Sequence, residues 1–260
     1  MKRLTIVAAA IAATLLLAAC GGSEPATTTD PSTTTTTTTS TTATTSPETT
    51  TTLPEAPFDG VPSNYAEFRG QATACGSVAP EPLSPMEFDA PADMDLDPSS
   101  AISITMSTSC GDLVIELEPG LAPETVNSFV FLSHEGYFDG TVLHRVVPGF
   151  IAQGGDQTAT GTGGPGYTIP DEFPPADMGY ERGILAMANA GPGTTGSQFF
   201  IMVEDSALPP QYAIFGRVVG GFEILDLVQG VPLGKGPGSP DPVASTPLET
   251  IYINTVTIDG

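Results

Sequence analysis

Around Arg145 the chain gathers residue types that can bind and polarise but cannot attack. The run His144-Arg145-Val146-Val147-Pro148-Gly149-Phe150-Ile151-Ala152-Gln153 offers one permanent cation, one amide side chain and several bulky apolar groups. A guanidinium never loses its charge and presents N–H donors in a rigid fork, which suits it to a fixed donor role. The other fate of an arginine, pairing with a carboxylate, is an easy one in a chain with 30 acidic residues and 7 Lys and Arg. Taken by itself, the arginine leaves both fates open.

Other chemistries lack their residues. Gly161-Thr162-Gly163-Gly164-Pro165-Gly166 matches the dinucleotide fingerprint by letter, yet it contains Pro165 and leads into Tyr167-Thr168-Ile169-Pro170, so it opens no helix. Asp93, Asp95 and Asp97 begin like a calcium loop that then has Pro98 where Gly is needed and Ile104 where Glu is needed. The two histidines, His134 and His144, are ten residues apart and do not have metal-ligand spacing. A serine triad would need one of them as base, and no Gly-x-Ser-x-Gly elbow is present. Hydrolase and metal chemistry are therefore not expected, and neither a metal nor a cofactor is called for.

The run from His144 continues to Gly154-Gly155-Asp156 and is followed by Gly161-Thr162-Gly163-Gly164, Met187-Ala188-Asn189-Ala190-Gly191-Pro192, Gly196-Ser197-Gln198-Phe199-Phe200 and Phe215-Gly216-Arg217-Val218. In order and spacing these segments resemble the cyclophilin-type peptidyl-prolyl cis-trans isomerases over roughly Ser103 to Ile258. The resemblance implies a mainly β fold: a closed eight-stranded antiparallel β-barrel capped by two α-helices, with a substrate groove on its outer face. It also implies rotation of X-Pro bonds. An amide resists rotation by about 18–20 kcal/mol because conjugation gives its C–N bond double-bond character. In the twisted transition state that conjugation is lost and the proline nitrogen regains a basic lone pair, so a donor aimed there stabilises that state above either ground state.

On this resemblance Arg145 is the donor. Phe150, Ile151 and Phe200 form the apolar pocket for the proline ring. Gln153 hydrogen-bonds the substrate and orients Arg145. Asn189 holds the peptide through its backbone, and Ala188 and Gln198 line the groove. Phe199, on the opposite face, belongs to the core, and His144 is a satisfied structural residue. Leu208 stands where many members carry a tryptophan that donates a hydrogen bond to cyclosporin, Tyr212 where a histidine is common, and Ile151 where methionine is. Weakened cyclosporin binding with isomerase activity retained is the expectation.

The elements that must hold these residues are short and β-rich. Ile102, Ile104 and Met106 alternate with polar residues, Cys110-Gly111-Asp112 supplies a turn, and Leu113, Ile115 and Leu117 alternate on the return, which predicts a hairpin. Pro123 opens a helix that runs to about Glu135 before Gly136, and a second helix is expected from Phe222 to Gln229. Strands are predicted at Val142 to Val147, Phe150 to Gln153, Ile184 to Ala188, Gln198 to Val203, Ala213 to Val219 and Ile251 to Ile258. Alternation along them places Ile151 with Gln153, and Gln198 with Phe200, on common faces, and Gly149 is a candidate bulge.

The N-terminal part has a different character. Lys2 and Arg3, the apolar stretch Leu4 to Ala19 and the junction Leu17-Ala18-Ala19-Cys20 read as a signal peptide over residues 1–19 and resemble a bacterial lipobox. That resemblance implies lipidation of Cys20 and an exported protein held at the outer face of the cytoplasmic membrane or in the cell envelope. Residues 20–57 form a Thr/Ser/Pro-rich tether expected to be disordered, spanning about 30–35 Å on average. Residues 58–100 read as an irregular acidic pre-domain segment, and residues 101–260 as the isomerase domain. Cys75 and Cys110 are expected to pair in an oxidising compartment, the alternative being two unrelated thiols.

The formal charge of −23 excludes a nucleic-acid partner, which requires clustered Lys and Arg. Expected partners are proline-containing unfolded or folding polypeptides, with membrane contact only through Cys20, and the chain is expected to be a monomer. Two non-enzymatic alternatives remain at this stage: a module that binds proline peptides without turning them over, and an envelope adaptor.

Overall fold

The alternation around Ile104 produces a hairpin. β1 (Ile102–Thr108) and β2 (Gly111–Leu117) pair antiparallel, with Ile104 opposite Ile115 and Met106 opposite Leu113, and these four side chains are buried. The turn is Ser109-Cys110, one step earlier than the sequence suggested. Thr108 Oγ1 donates to the Gly111 carbonyl at 2.7 Å and accepts from Cys110 N at 3.1 Å, which closes a two-residue loop.

The computed structural model describes residues 59–259, so the expected signal peptide, Cys20 and the expected tether lie outside the described residues. The further strands are β3 (Arg145–Val147), β4 (Ile151–Gly154), β5 (Ile184–Met187), β6 (Phe199–Met202), β7 (Ile214–Gly220), β8 (Leu233–Gly234), β9 (Thr246–Pro247) and β10 (Ile253–Asp259). Eight of them form one antiparallel sheet in the order β10-β1-β2-β7-β5-β6-β4-β3, and β8 and β9 make a separate ribbon. Just ahead of β3 the chain meets the other edge of the sheet. Leu143 N donates to the Ile251 carbonyl at 2.9 Å, Ile253 N to the Thr141 carbonyl at 2.8 Å, and Val142 bridges to Tyr252. The sheet therefore curls until its edges are neighbours, the mainly β, barrel-type architecture that the resemblance implied.

Two apolar clusters divide at the sheet. The inner one holds Val146, Ala152, Phe199, Ile201, Leu185 and Phe215, and the outer one holds Ile151, Phe200, Ala186, Met202 and Ile214. Strand periodicity places neighbours such as Phe199 and Phe200 on opposite faces. α2 (Pro123–His134) packs its buried face into the inner cluster, where Phe129 stacks on Phe138 at 4.8 Å and meets Phe199 edge-on at 5.6 Å. No side chain of its own caps this helix. The Glu172 carboxylate does so from a distance, accepting from Glu124 N, Thr125 N and Thr125 Oγ1 at 3.1, 2.8 and 2.7 Å. α3 (Phe222–Gln229), placed where the sequence expected it, buries Ile224, Leu225 and Val228.

The segment before the barrel is more ordered than its composition suggested. Asn64 caps a short helix, α1 (Tyr65–Arg69), by accepting from Glu67 N at 3.1 Å, and Phe68 and Ala74 are fully buried. A disulfide joins Cys75 to Cys110, Ala74 N donates to the Thr250 carbonyl at 2.9 Å, and Met86 N donates to Gln157 Oε1 at 2.8 Å. Among the described residues no helix is long and apolar enough to cross a membrane.

Candidate functional site

Arg145 and Gln153 are register partners on β3 and β4, and Gln153 is in turn the partner of Phe200 on β6. Three adjacent strands thus carry a cation, an amide and an aromatic ring in one row. Val147, Ile151 and Met202 form the next row on the same face. Between β3 and β4 the chain turns through Pro148-Gly149, with Phe150 N donating to the Val147 carbonyl at 3.0 Å. Gly149 has φ +71°, which a proline-glycine turn requires of its third residue. Gly149 is therefore part of the turn rather than a strand bulge, and the tight connection still delivers Phe150 to the outer surface.

A groove of about 450 Å³ opens on this face. Arg145, Phe150, Ile151, Gln153, Ala188, Asn189, Phe200, Leu208 and Tyr212 all line it. Gln198 faces an adjoining cavity that Gln153, Ala188 and Asn189 also line. Of the groove residues singled out from the sequence, all but Gln198 thus share one groove, and Gln198 stands beside it. The apolar part is supported from behind: Phe200 meets Tyr212 edge-on at 5.5 Å, and Tyr180 Oη donates to the Tyr212 carbonyl at 2.8 Å and accepts from its N–H at 3.2 Å. The Asn189 side chain is committed elsewhere, donating to the Gln211 carbonyl at 2.9 Å and accepting from Gly191 N at 3.1 Å. Its backbone is what remains for a ligand.

The polar part is a directed chain. Arg145 Nη1 donates to Gln153 Oε1 at 2.8 Å, Gln153 Nε2 donates to Gln198 Oε1 at 3.0 Å, and Gln198 Nε2 donates to the Gly163 carbonyl at 2.9 Å. Arginine has no acceptor, so it dictates the orientation of both amides. On its other side the guanidinium is gripped by Asp241, the carboxylate partner that the sequence had left open. The pair stands inside the groove, and Arg145 keeps about 29% of its side-chain surface exposed. Three of its five N–H groups are engaged, which leaves two.

His144 is buried as expected but not satisfied: neither ring nitrogen has a hydrogen-bond partner among the described residues. Burial lowers its pKa to about 4 against the pull of Asp156, with Arg145 adding to the shift, so the ring is neutral at pH 7 and is no general base. Asp156 organises the glycine-rich loop, accepting from Thr158 N and Oγ1, Gly161 N and Gly163 N between 2.7 and 3.0 Å. Burial opposes its ionisation, but these bonds and His144 outweigh it and hold the pKa below the usual range. A Cβ on Gly163 would lie 2.1 Å from Asp156 Oδ1, so any other residue there would have to displace the carboxylate from its hydrogen bonds. The loop that mimics a dinucleotide fingerprint is thus wrapped around a carboxylate and anchors Gln198.

Sequence reasoning missed two further walls of the groove. Pro62, Ser63 and Phe68 come from the pre-domain segment, Gly236 to Asp241 with Ser245 come from the β8–β9 connection, and Thr246 comes from β9. Asn64 followed by Glu67, a helix-capping pattern, was a readable signal for the first. For the second no local signal exists. Among the described residues there is no cluster of side chains able to hold a metal ion.

Residues 103–258 match the model of the family described as cyclophilin type peptidyl-prolyl cis-trans isomerase/CLD. The chain is 41% identical over 174 residues to peptidyl-prolyl cis-trans isomerase B of Streptomyces anulatus, covering 60% of this chain and 95% of the relative. It is 34% identical over 187 residues to a probable peptidyl-prolyl cis-trans isomerase B of Mycobacterium tuberculosis, covering 66% of this chain and 60% of the relative. Among solved structures, a cyclophilin type isomerase of Cryptosporidium parvum superposes with a TM-score of 0.55 at 36% identity, covering 62% of this chain and 99% of that one. The same protein in the presence of the dipeptide Ala-Pro gives 0.54 at 38% identity, covering 61% and 99%.

Proposed function

Because the chain belongs to the cyclophilin-type peptidyl-prolyl cis-trans isomerases, we propose that it rotates X-Pro bonds of exported polypeptides in the groove between Arg145 and Phe200. The observation that carries this reading is the presence, in one groove, of a cation with unused N–H groups and the apolar side chains of Phe150, Ile151 and Phe200. Phe150, Ile151 and Phe200 grip the pyrrolidine ring by burying apolar surface, at about 25 cal/mol per Å². The Asn189 backbone holds the chain on the far side of the bond. Arg145 directs an N–H at the proline nitrogen, where a lone pair exists only once the amide has twisted. A bond that strengthens only in the transition state lowers the barrier without deepening the ground state. Gln153 keeps the donor in the plane of the row. No proton is transferred and no covalent bond is made, which agrees with a neutral, buried His144.

The setting is part of the proposal. Lipidation of Cys20 holds the enzyme in the cell envelope, the tether gives it reach, and the Cys75–Cys110 disulfide suits an oxidising compartment. The domain acts as a monomer on chains that are still folding. The Ala-Pro dipeptide associated with the Cryptosporidium parvum structure supports a proline-containing ligand. Exchange NMR on an Ala-Pro-containing peptide tests the reading: the full-length protein should accelerate cis-trans exchange. Peptide binding without acceleration would instead favour the non-catalytic binding module.

A further inference from the structure

A donor acts only if it is aimed, and Arg145 carries a long side chain with several rotatable bonds. Gln153 engages one edge of its guanidinium, through Nη1. The other edge is taken by Asp241, 96 residues further along the chain: Arg145 Nε donates to Oδ2 at 2.8 Å and Nη2 donates to Oδ1 at 2.6 Å. A two-pronged bond of this kind fixes the plane of the fork as well as its distance.

Asp241 is itself built in. It lies on the Gly236 to Ser245 connection, whose ends are clamped by the pairing of Leu233 with Pro247 and of Gly234 with Thr246. Val146 N donates to the Ser245 carbonyl at 2.7 Å, which fastens the loop to β3 one residue from Arg145. Asp241 N donates to Ser239 Oγ at 3.3 Å, and that hydroxyl lies 3.3 Å from Ser245 Oγ. The carboxylate is 8% exposed, so water competes little for it. Its pKa is held below the usual range, chiefly by the hydrogen bond from Arg145, so it is ionised wherever the protein is folded and neutral in pH.

Two consequences of this contact oppose each other. A carboxylate offsets part of the positive charge that would meet the proline nitrogen, but it also removes the side chain's freedom to turn away. Orientation prevails, because the contact with Asp241 leaves two N–H groups of the guanidinium unclaimed. We propose that Asp241 is the positioning residue of the isomerase, holding Arg145 on one edge while Gln153 holds it on the other, so that the free N–H groups face the pocket of Phe150 and Phe200. This inference rests on the isomerase reading of the same groove.

The test compares full-length protein carrying Asp241→Ala or Asp241→Asn with the wild type, using NMR line shapes of an Ala-Pro-containing peptide across a concentration series. Loss of aim should lower kcat about 10-fold in Asp241→Ala while KM stays within about two-fold, because the Arg145 contact forms only in the transition state. Asp241→Asn still offers an oxygen to the guanidinium and should stay within about three-fold of wild type. An Asp241→Ala enzyme as fast as wild type or faster would overturn the proposal and make the carboxylate a brake. A folded Asp241→Asn as slow as Asp241→Ala would overturn it too. Should Asp241→Ala fail to fold, Asp241→Ser serves as the truncation, since it cannot span both nitrogens. The Arg145 Nε–H resonance is an independent readout, expected to be protected in the wild type and exchange-broadened in Asp241→Ala; an unchanged signal contradicts the proposal. A wild-type protein that does not accelerate exchange removes the isomerase reading itself, and the Nε–H signal then decides alone whether Asp241 fixes the side chain.

Discussion

Arg145 and Gln153 face each other across the β3–β4 hairpin, and the 2.8 Å bond from Nη1 to Oε1 makes a cross-strand pair the orienting element of the groove. Cross-strand neighbours on one face are held by the sheet itself, so the amide needs no support from a loop. Gln153 passes the orientation on to Gln198 and the Gly163 carbonyl.

Removing the middle of that chain should be felt in catalysis more than in stability. Gln153→Ala is expected to lower kcat/KM roughly 10-fold, in keeping with the loss of one hydrogen bond to a charged group. The melting temperature should shift little, because Gln153 is only half-buried. Parallel kinetics and thermal melts check both halves of this expectation.

His144 makes stability depend on acid. Its folded pKa of about 4 lies below the ordinary 6.5, so the unfolded chain binds the proton more readily than the native one. Stability is therefore full above about pH 6.5, falls as pH drops through the window between the two values, and levels off below the folded pKa. The contribution of this one ring should be a loss of about 2 kcal/mol by pH 4.5. Urea unfolding at pH 7 and pH 4.5 measures it, with His144→Gln as the control that should lose less over the same interval.

The Cys75–Cys110 bond closes a loop of 35 residues, and opening it by Cys75→Ser with Cys110→Ser should cost about 3–4 kcal/mol in the chain-entropy account. The same change frees the segment that supplies Pro62 and Ser63 to the groove wall. Limited proteolysis should then cut between residues 59 and 100 sooner than in the oxidised protein, while the barrel stays protected.

Leu208 lines the groove where the family resemblance expects an indole donor. Inhibition by cyclosporin should be weaker than for a tryptophan-bearing member, with isomerase activity retained. Leu208→Trp should strengthen inhibition by up to about 10-fold, the worth of one well-placed hydrogen bond. Equal potency for the wild type and a tryptophan-bearing control in a titration would refute this.

How much of this was legible depends on the distance over which each feature is encoded. The β1–β2 hairpin, α2 behind Pro123 and α3 between Gly221 and Gly230 are written in local periodicity and punctuation, and they fall where the sequence puts them within a residue or two. The groove residues from Arg145 to Phe200 were readable because they come in short contiguous motifs. Asp241 was not, since nothing in Gly236-Pro237-Gly238-Ser239-Pro240 distinguishes its carboxylate from the other acids of so acidic a chain. α1 was hidden by the Pro-rich and acidic stretch around it and exists because Phe68 buries against Val142 and Tyr252, a tertiary gain that composition does not display. His144 was expected to be satisfied, because local sequence does not show which hydrogen-bond partners a buried ring lacks.

The central claim is that a guanidinium meets the proline nitrogen only when the bond is twisted, so binding and turnover should separate at Arg145. The decisive measurement is Ala-Pro peptide affinity beside the cis-trans exchange rate, for the full-length wild type and for Arg145→Ala. The account predicts affinity within about three-fold and a turnover lower by about 10²–10³-fold, the scale of losing one electrostatic donor to a transition state. Equal turnover in the two proteins would contradict it.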